Sequence, residues 1–323
     1  MALRPVPLNL VTLYADLVQN VRADAAAYGS VVTRTRGRQR YLYVVSKDGN
    51  VRGERYIGPA DDPTAMSEAQ QIRSAAQQAR SNRTAVSLLK RARIPAPSLP
   101  LGRAIEVIAN AGLFERGIVL IGTAAFQVYA PLVGVYLPAA AAMTSDADIL
   151  AASLILSGSP IDLEMVLRRA DPTFAAEYAR DDRLPKLYRA ANGLSVDVVT
   201  KFGRGRVSPV QIPSLACSAE ALTYMEYLAS DSMEAVVLYG AGVLVRVPPP
   251  ARFAVHKLLV AQERRGRFLA KRGKDLIQSR DLMAALRIGD AISLDEAMAD
   301  ARRRGPAWRK AIDASLGEID RLP

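Results

Sequence analysis

Between Gly117 and Ser145 the chain carries no charged residue, a run of 29 positions that has to be buried in something. Its length would suffice to cross a bilayer. Its composition argues otherwise, because Gly122, Gln127, Pro131, Gly134 and Pro138 interrupt it. An apolar run broken in this way reads as a short buried strand at Ile118 to Ile121, then a helix, then a loop, all inside a globular core. The run stops abruptly at the charged triplet Asp146-Ala147-Asp148. No membrane insertion is expected, and the question becomes why two acids stand at the edge of so apolar a core.

Alternate side chains of a strand share a face, so Asp146 and Asp148 project together while Ala147 and Ile149 point into the core. Further on, Asn192-Gly193 is a strong two-residue hairpin signal, and the strand after it carries a third acid, Asp197, between Val196 and Val198. A neighbouring strand would thus deliver a third carboxylate to the pair. Clustered carboxylates repel one another, and burying them together is costly unless cations lie between them. Oxygen-only ligands suit Mg²⁺, or Mn²⁺, shared with substrate phosphates. The expectation is a metal and polyphosphate site with Asp146, Asp148 and Asp197 as the metal ligands.

Upstream, Ile121-Gly122-Thr123 follows the short strand. Gly122 has no Cβ and lets backbone come close to a phosphate, and Thr123 opens a helix whose N–H groups favour an anion; the same pair also serves as an ordinary strand-to-helix turn with Thr123 as N-cap. An apolar residue, Gly, a small hydroxyl residue, then Asp-x-Asp and a later lone acid is the pattern of the DNA polymerase β-like nucleotidyltransferase superfamily, which this chain resembles. It looks most similar to the bacterial branch that includes the AbiEii and MenT type toxins, over roughly residues 117 to 286. Thr123 stands where the superfamily more often has Ser, and the stretch from Gly122 to Asp146 is long enough to hold a full helix.

The resemblance implies an α/β (α+β) fold: a nucleotidyltransferase core with a small mixed sheet flanked by helices. It implies NTP as substrate, with Gly122, Thr123 and Lys257 on the nucleotide, Asp146 and Asp148 on the metal ions, and Asp197 helping with the second metal and activating the attacking hydroxyl. A Lys on one helix and an Asp opening the next complete the site in that branch. Here Lys257 and Asp275 match that layout, with Lys257 stabilising triphosphate charge and Asp275 orienting Lys257 or the acceptor.

Helical spacing supports these two in part. Lys257 follows Phe253 and precedes Ala261 by one helical repeat each, so it lies on a largely apolar stripe, where it serves an anion or snorkels over the core. Asp275 sits at the edge of the stripe of Leu276, Leu282, Met283 and Leu286, with Asp281 opposite; it is also the kind of acid that a helix's first turn favours with no function. His256 and Cys217 are the only histidine and cysteine, which excludes a Cys/His zinc site within one chain and leaves no Cys-His or Ser-His-Asp arrangement. His256 is expected to pack or bond locally. Gly240-Ala-Gly242 is too short for a dinucleotide fingerprint and reads as a hairpin turn.

The net charge of +11 is uneven, since residues 1 to 100 hold 15 Lys/Arg against 7 Asp/Glu. Arg34, Arg36, Arg38 and Arg40 alternate along a candidate hairpin followed by Tyr41 and Tyr43, which would put several guanidinium groups on one face. Such a face suits nucleic-acid backbone and bases, and Lys90, Arg91 and Arg93 extend it; a solvated, aggregation-resistant edge is the plain alternative. Three regions follow: a basic N-terminal α+β region at 1–94, the core at 101–250, and a helical C-terminal region at 251–323, with the proline-rich Ile94 to Pro100 between the first two. Helices are expected near 9–28, 65–93, 101–113 and 160–170, and an antiparallel pair at 30–58 turning at Lys47 to Asn50. One cysteine and no signal-peptide pattern point to the cytoplasm. The expected activity is transfer of NMP to a hydroxyl, with RNA or tRNA as acceptor and an antitoxin as a further partner through the family. The alternatives are a silent nucleic-acid or partner-binding module, and nucleotidylation of a protein or small molecule.

Overall fold

The computed structural model describes residues 3–21, 29–48, 51–141, 146–152, 158–178, 183–202 and 208–322. Helix α1 (Leu8–Asn20) buries Tyr14 and Leu17. Strands β1 (Ser30–Arg36), β2 (Gln39–Asp48) and β3 (Val51–Pro59) form one antiparallel sheet, so the region read as a pair has three strands. The extra strand arises because the arginine run folds back at Gly37-Arg38, placing Arg36 opposite Gln39. Of the turn expected at Lys47 to Asn50, Gly49 and Asn50 lie outside the described residues.

Helix α2 (Pro63–Arg91) starts where Pro63 follows Asp62, whose carboxylate accepts from the Thr64 and Ala65 amides at 3.3 and 3.1 Å. Its first turns carry Ala65 and Ala69 onto Leu42 of the sheet. Gly58 makes that approach possible, since a Cβ there would stand 2.7 Å from the Ala65 Cβ. Its last turns bring Val86 and Leu89 against α1 in a second cluster. One helix thus joins the N-terminal sheet to the body.

Ser98 caps α3 (Leu99–Asn110), which leads into the fully buried β4 (Ile118–Ile121). After it the uncharged run makes α4 (Gly122–Phe126), α5 (Tyr129–Leu132) and a 3-10 turn at Pro138–Ala141. The full helix that this stretch could hold is replaced by short turns: α4 ends at Phe126, Pro131 lies within the four-residue α5, Gly134 follows it with φ +68, and Pro138 opens the 3-10 turn. Then come β5 (Asp146–Ala151), α6 (Leu163–Arg168), β6 (Ala175–Glu177), β7 (Leu187–Arg189), β8 (Ser195–Lys201), β9 (Val210–Ile212) and β10 (Cys217–Leu222).

The central sheet runs β4-β5-β8-β10-β9, antiparallel at both ends and parallel at β5-β8 and β8-β10. The edge of β8 away from β5 is shared: β7 takes Ser195 to Asp197 and β10 takes Val199 to Lys201. The fold is mixed α/β, as the pattern of elements implied.

Helix α7 (Met225–Ala229) precedes the hairpin of β11 (Met233–Val237) and β12 (Val243–Val247), which turns at Gly240 to Gly242. Tyr14 on α1 clamps this hairpin, its hydroxyl donating to the Val236 carbonyl and accepting from the Val236 amide, both at 2.9 Å. The chain ends in α8 (Pro250–Glu263), α9 (Ala270–Gly289), α10 (Ala291–Arg303) and α11 (Pro306–Ile319). Phe126 and Tyr129 meet Phe253 of α8 at 5.8 and 5.1 Å between ring centres, which seats α8 against the start of the uncharged run. No described helix is long and apolar enough to cross a membrane.

Candidate active site

The pairing of β5 with β8 sets the site. Asp148 lies opposite Asp197, and Asp146 lies opposite Ser195. On the far side of β8, Leu187 is opposite Asp197 and Arg189 opposite Ser195. Partners in register share a face, so two rungs cross the sheet: Arg189, Ser195 and Asp146 on one, Leu187, Asp197 and Asp148 on the next. All three acids project from one face. The Ser195 hydroxyl donates to Asp146 at 2.9 Å, and Arg189 is tied to Glu177 at 2.7 Å. The Met143 to Ser145 stretch that introduces the acids lies outside the described residues.

Beside Asp148 on the other edge, Ile121 is its partner on β4 and leads straight into Gly122. The Gly122 backbone has φ +67, and a Cβ there would come within 2.1 Å of an Asp148 carboxylate oxygen. Only glycine fits, by conformation and by space. Thr123 is the second residue of α4, a helix of five residues.

Lys257 and Asp275 meet in a buried ion pair of 2.7 Å, and Arg264 holds the second Asp275 oxygen at 2.8 Å. Asp275 is the sixth residue of α9 and almost wholly buried, so it does not sit in the first turn as the sequence reading had it. Asp281 is buried too, rather than facing away, and pairs with Arg280 at 3.4 Å. The Lys257 ammonium lies 5.2 Å from the centre of the Phe253 ring, which accounts for its place on an apolar stripe. His256 is buried with no hydrogen-bond partner on either ring nitrogen, and burial plus the Lys257 charge push it down to about 3. It packs as a neutral ring.

The electrostatics divide the site in two. Burial pushes Asp275 up, but Lys257 and Arg264 outweigh it and hold the carboxyl below its usual range. Asp148 moves the other way: burial raises it, with Asp146 adding to the rise, against a pull from Lys257 and Lys271. Asp197 is raised to about 6 by burial and by Asp148 and Asp146. Asp148 and Asp197 are thus pushed toward protonation, and the cations near them offset their burial only in part.

Lys271, Arg264, Lys274, Arg189 and Ser195 were not singled out from the sequence. Lys271 is near enough to draw down both Asp148 and Asp197. Lys274 is itself lowered, by burial and then by Lys257. The signal was present in Lys271-Arg272-Gly273-Lys274, a basic run one helical turn long just before Asp275, and in Ser195 two positions ahead of Asp197 on the same strand face.

Among the described residues, no three acids or imidazoles close into a cage that would hold a metal by themselves. The donor set still fits a hard cation: Asp146 and Asp148 offer only oxygen, on a face where charge is in excess, and Mg²⁺ is commonly held by one or two carboxylates with phosphates and water completing its shell.

Of Arg34, Arg36, Arg38 and Arg40, expected to bring several guanidinium groups to one face, two do so. A two-residue turn that sets Arg36 opposite Gln39 also sets Thr35 opposite Arg40, so Arg34 and Arg36 share one face, Arg40 takes the other and Arg38 stands in the turn. The acids and Lys257 belong to the body of the protein, and these arginines to the appended sheet.

A family model described as nucleotidyltransferase matches residues 100–303, more than half of the 323. The match takes in the three acids, Gly122, Thr123, Lys257 and Asp275, and leaves out the N-terminal sheet. A crystal structure of an antigenic nucleotidyltransferase-like protein from Paracoccidioides brasiliensis is similar at 16% identity and a TM-score of 0.32, covering 68% of this chain and 95% of that one. A search of curated proteins finds no match.

Proposed function

Because the chain belongs to the nucleotidyltransferase family, we propose that the acid face of β5 and β8 is its catalytic centre, moving a nucleoside monophosphate from an NTP to a hydroxyl of RNA. The observation that carries this reading is the pair of rungs that put Asp146, Asp148 and Asp197 on one face beside the Gly122 turn.

Asp146 and Asp148 would hold Mg²⁺ or Mn²⁺, which when bound supplies Lewis-acid stabilisation of the phosphoryl oxygens. The rest belongs to the chain. Gly122 keeps the backbone low enough over Asp148 to leave room for phosphate. Lys271 and Lys274 of α9 offer cations for the β and γ phosphates, while Lys257, bound by Asp275, sets the position of α8 against α9 and contributes its field. The acceptor oxygen attacks the α-phosphorus, a new P–O bond forms, the bond to the bridging oxygen breaks and pyrophosphate leaves. The hydroxyl proton passes to Asp197, whose pKa of about 6 leaves it ionised at neutral pH and a better base than an ordinary aspartate.

The RNA acceptor is supported by the basic N-terminal region. The toxin role rests on the branch resemblance alone, and growth arrest on expression, relieved by Asp148→Asn, tests it. For the chemistry, the protein is incubated with Mg²⁺, total RNA and each of the four NTPs labelled at the α-phosphate. Label on RNA with release of pyrophosphate supports the reading. Label on protein and none on RNA would overturn the acceptor, and no label with any NTP would overturn the transferase.

A further inference from the structure

The N-terminal sheet has two unlike faces. One packs on α2 through Leu42, Val31 and Ile57. The other has no described element on it and carries Arg34, Arg36, Gln39, Tyr41, Tyr43 and Tyr56. Tyr56, a large ring on the edge strand β3, is 49% exposed. Its centroid lies 5.3 Å from that of Tyr43 and 6.1 Å from that of Tyr41, so three rings make one continuous patch. Arg34 lies over Tyr43 at 5.7 Å and reaches Glu54 at 2.7 Å. That ion pair is exposed, of the sort that contributes little, and a phosphate can take the place of Glu54.

We infer that this open face is a stacking platform for single-stranded RNA, with bases on Tyr43 and Tyr56 and the backbone along Arg34, Arg36 and Arg38. The inference extends the acceptor reading above and concerns binding alone. Residues 30–59, the strands with their turns, hold 7 Lys/Arg against 2 Asp/Glu, which suits a polyanion. Three clustered aromatic rings among cations narrow it further. A polyanion without π-faces, such as polyphosphate, gains nothing from them, while an unpaired base gains from each ring it stacks on. A duplex keeps its bases stacked on one another and leaves none for the tyrosines. The Tyr41 hydroxyl and the Gln39 side chain, hydrogen-bonded to each other on this face, offer a donor and acceptor that a ribose 2′-hydroxyl can use and deoxyribose cannot.

The test is fluorescence anisotropy of the full chain with a labelled twelve-nucleotide single-stranded RNA, without NTP or metal. The wild type should bind it more tightly than the matching RNA duplex or single-stranded DNA. The double variant Tyr43→Ala, Tyr56→Ala should bind at least tenfold more weakly, and Tyr43→Phe with Tyr56→Phe should bind within about threefold of wild type, since the ring is what stacks. Tyr56→Ser, at the exposed position, serves as the variant least able to disturb folding, and circular dichroism melts confirm that each protein is folded. Equal binding by the folded Ala or Ser variants overturns the platform. Equal binding of duplex or DNA overturns the assignment to single-stranded RNA. If tyrosine-dependent binding appears while no NTP is ever consumed, the platform stands and the transferase reading falls; if label reaches RNA while binding ignores the tyrosines, the platform alone falls.

Discussion

Asp275 and Asp148 are two aspartates enclosed by the same body of protein, and they are treated in opposite ways. Asp275 has a lysine and an arginine within 2.8 Å and is held ionised. Asp148 faces two other acids across β5 and β8, has Lys257 and Lys271 only at longer range, and is pushed toward protonation. The first is a completed structural joint between α8 and α9. The second is a carboxylate whose burial the more distant Lys257, Lys271 and Arg264 offset only in part, the kind of perturbed group that a ligand-binding site holds.

The comparison breaks most visibly through substitution. Asp148→Asn should lower nucleotidyl transfer about a thousandfold, equivalent to ~4 kcal/mol of transition-state stabilisation, while the melting temperature of the metal-free protein stays level or rises; a parallel fall in both would make Asp148 structural. Asp275→Ala should act chiefly on stability, with transfer falling less than in Asp148→Asn. Removing one member of a buried pair leaves Lys257 without its partner, and urea unfolding should show a loss of about 3–5 kcal/mol.

Smaller effects sharpen the contrast. Lys271→Ala with Lys274→Ala should raise the KM for NTP about tenfold, ~1.4 kcal/mol of lost binding, with kcat nearly unchanged and the fold intact, as steady-state kinetics and melts would show. The smallest effect is pH dependence without metal. Asp197 titrates at about 6 in the folded chain against 3.8 ordinarily, so between those values the folded state binds more protons than the unfolded one. Acidifying from pH 7.5 to about 5 should therefore raise the thermal midpoint, and Asp197→Asn should flatten the rise. Asp275 contributes with the opposite sign: its stabilisation is full above the ordinary carboxylate range and is lost only as the pH falls below it.

How much of this was readable from residues alone varies by region. The Asp-x-Asp strand, the Asn192-Gly193 turn and the lone acid after it were legible because period-two alternation and turn chemistry are local. The Gly122 position was legible as a close approach, but not that its neighbour would be the Asp148 carboxylate itself. Asp275 was misplaced at a helix start because the beginning of α9 at Ala270 has no capping side chain to announce it. The arginines were legible only in part: alternation holds along a strand, so Arg34 and Arg36 share a face, but a two-residue turn shifts it and puts Arg40 on the other. Lys271 and Lys274 needed the third dimension, since only the packing of α9 against the site brings a basic helical turn to acids on a distant strand.

On the function proposed above, the β5-β8 acid face takes NTP together with a divalent cation. Isothermal titration of the protein with NTP, with and without Mg²⁺, in wild type and Asp148→Asn, reads this directly. The account predicts binding by the wild type with Mg²⁺ present and none by the variant or without the metal. Equal heats in all four titrations would contradict it.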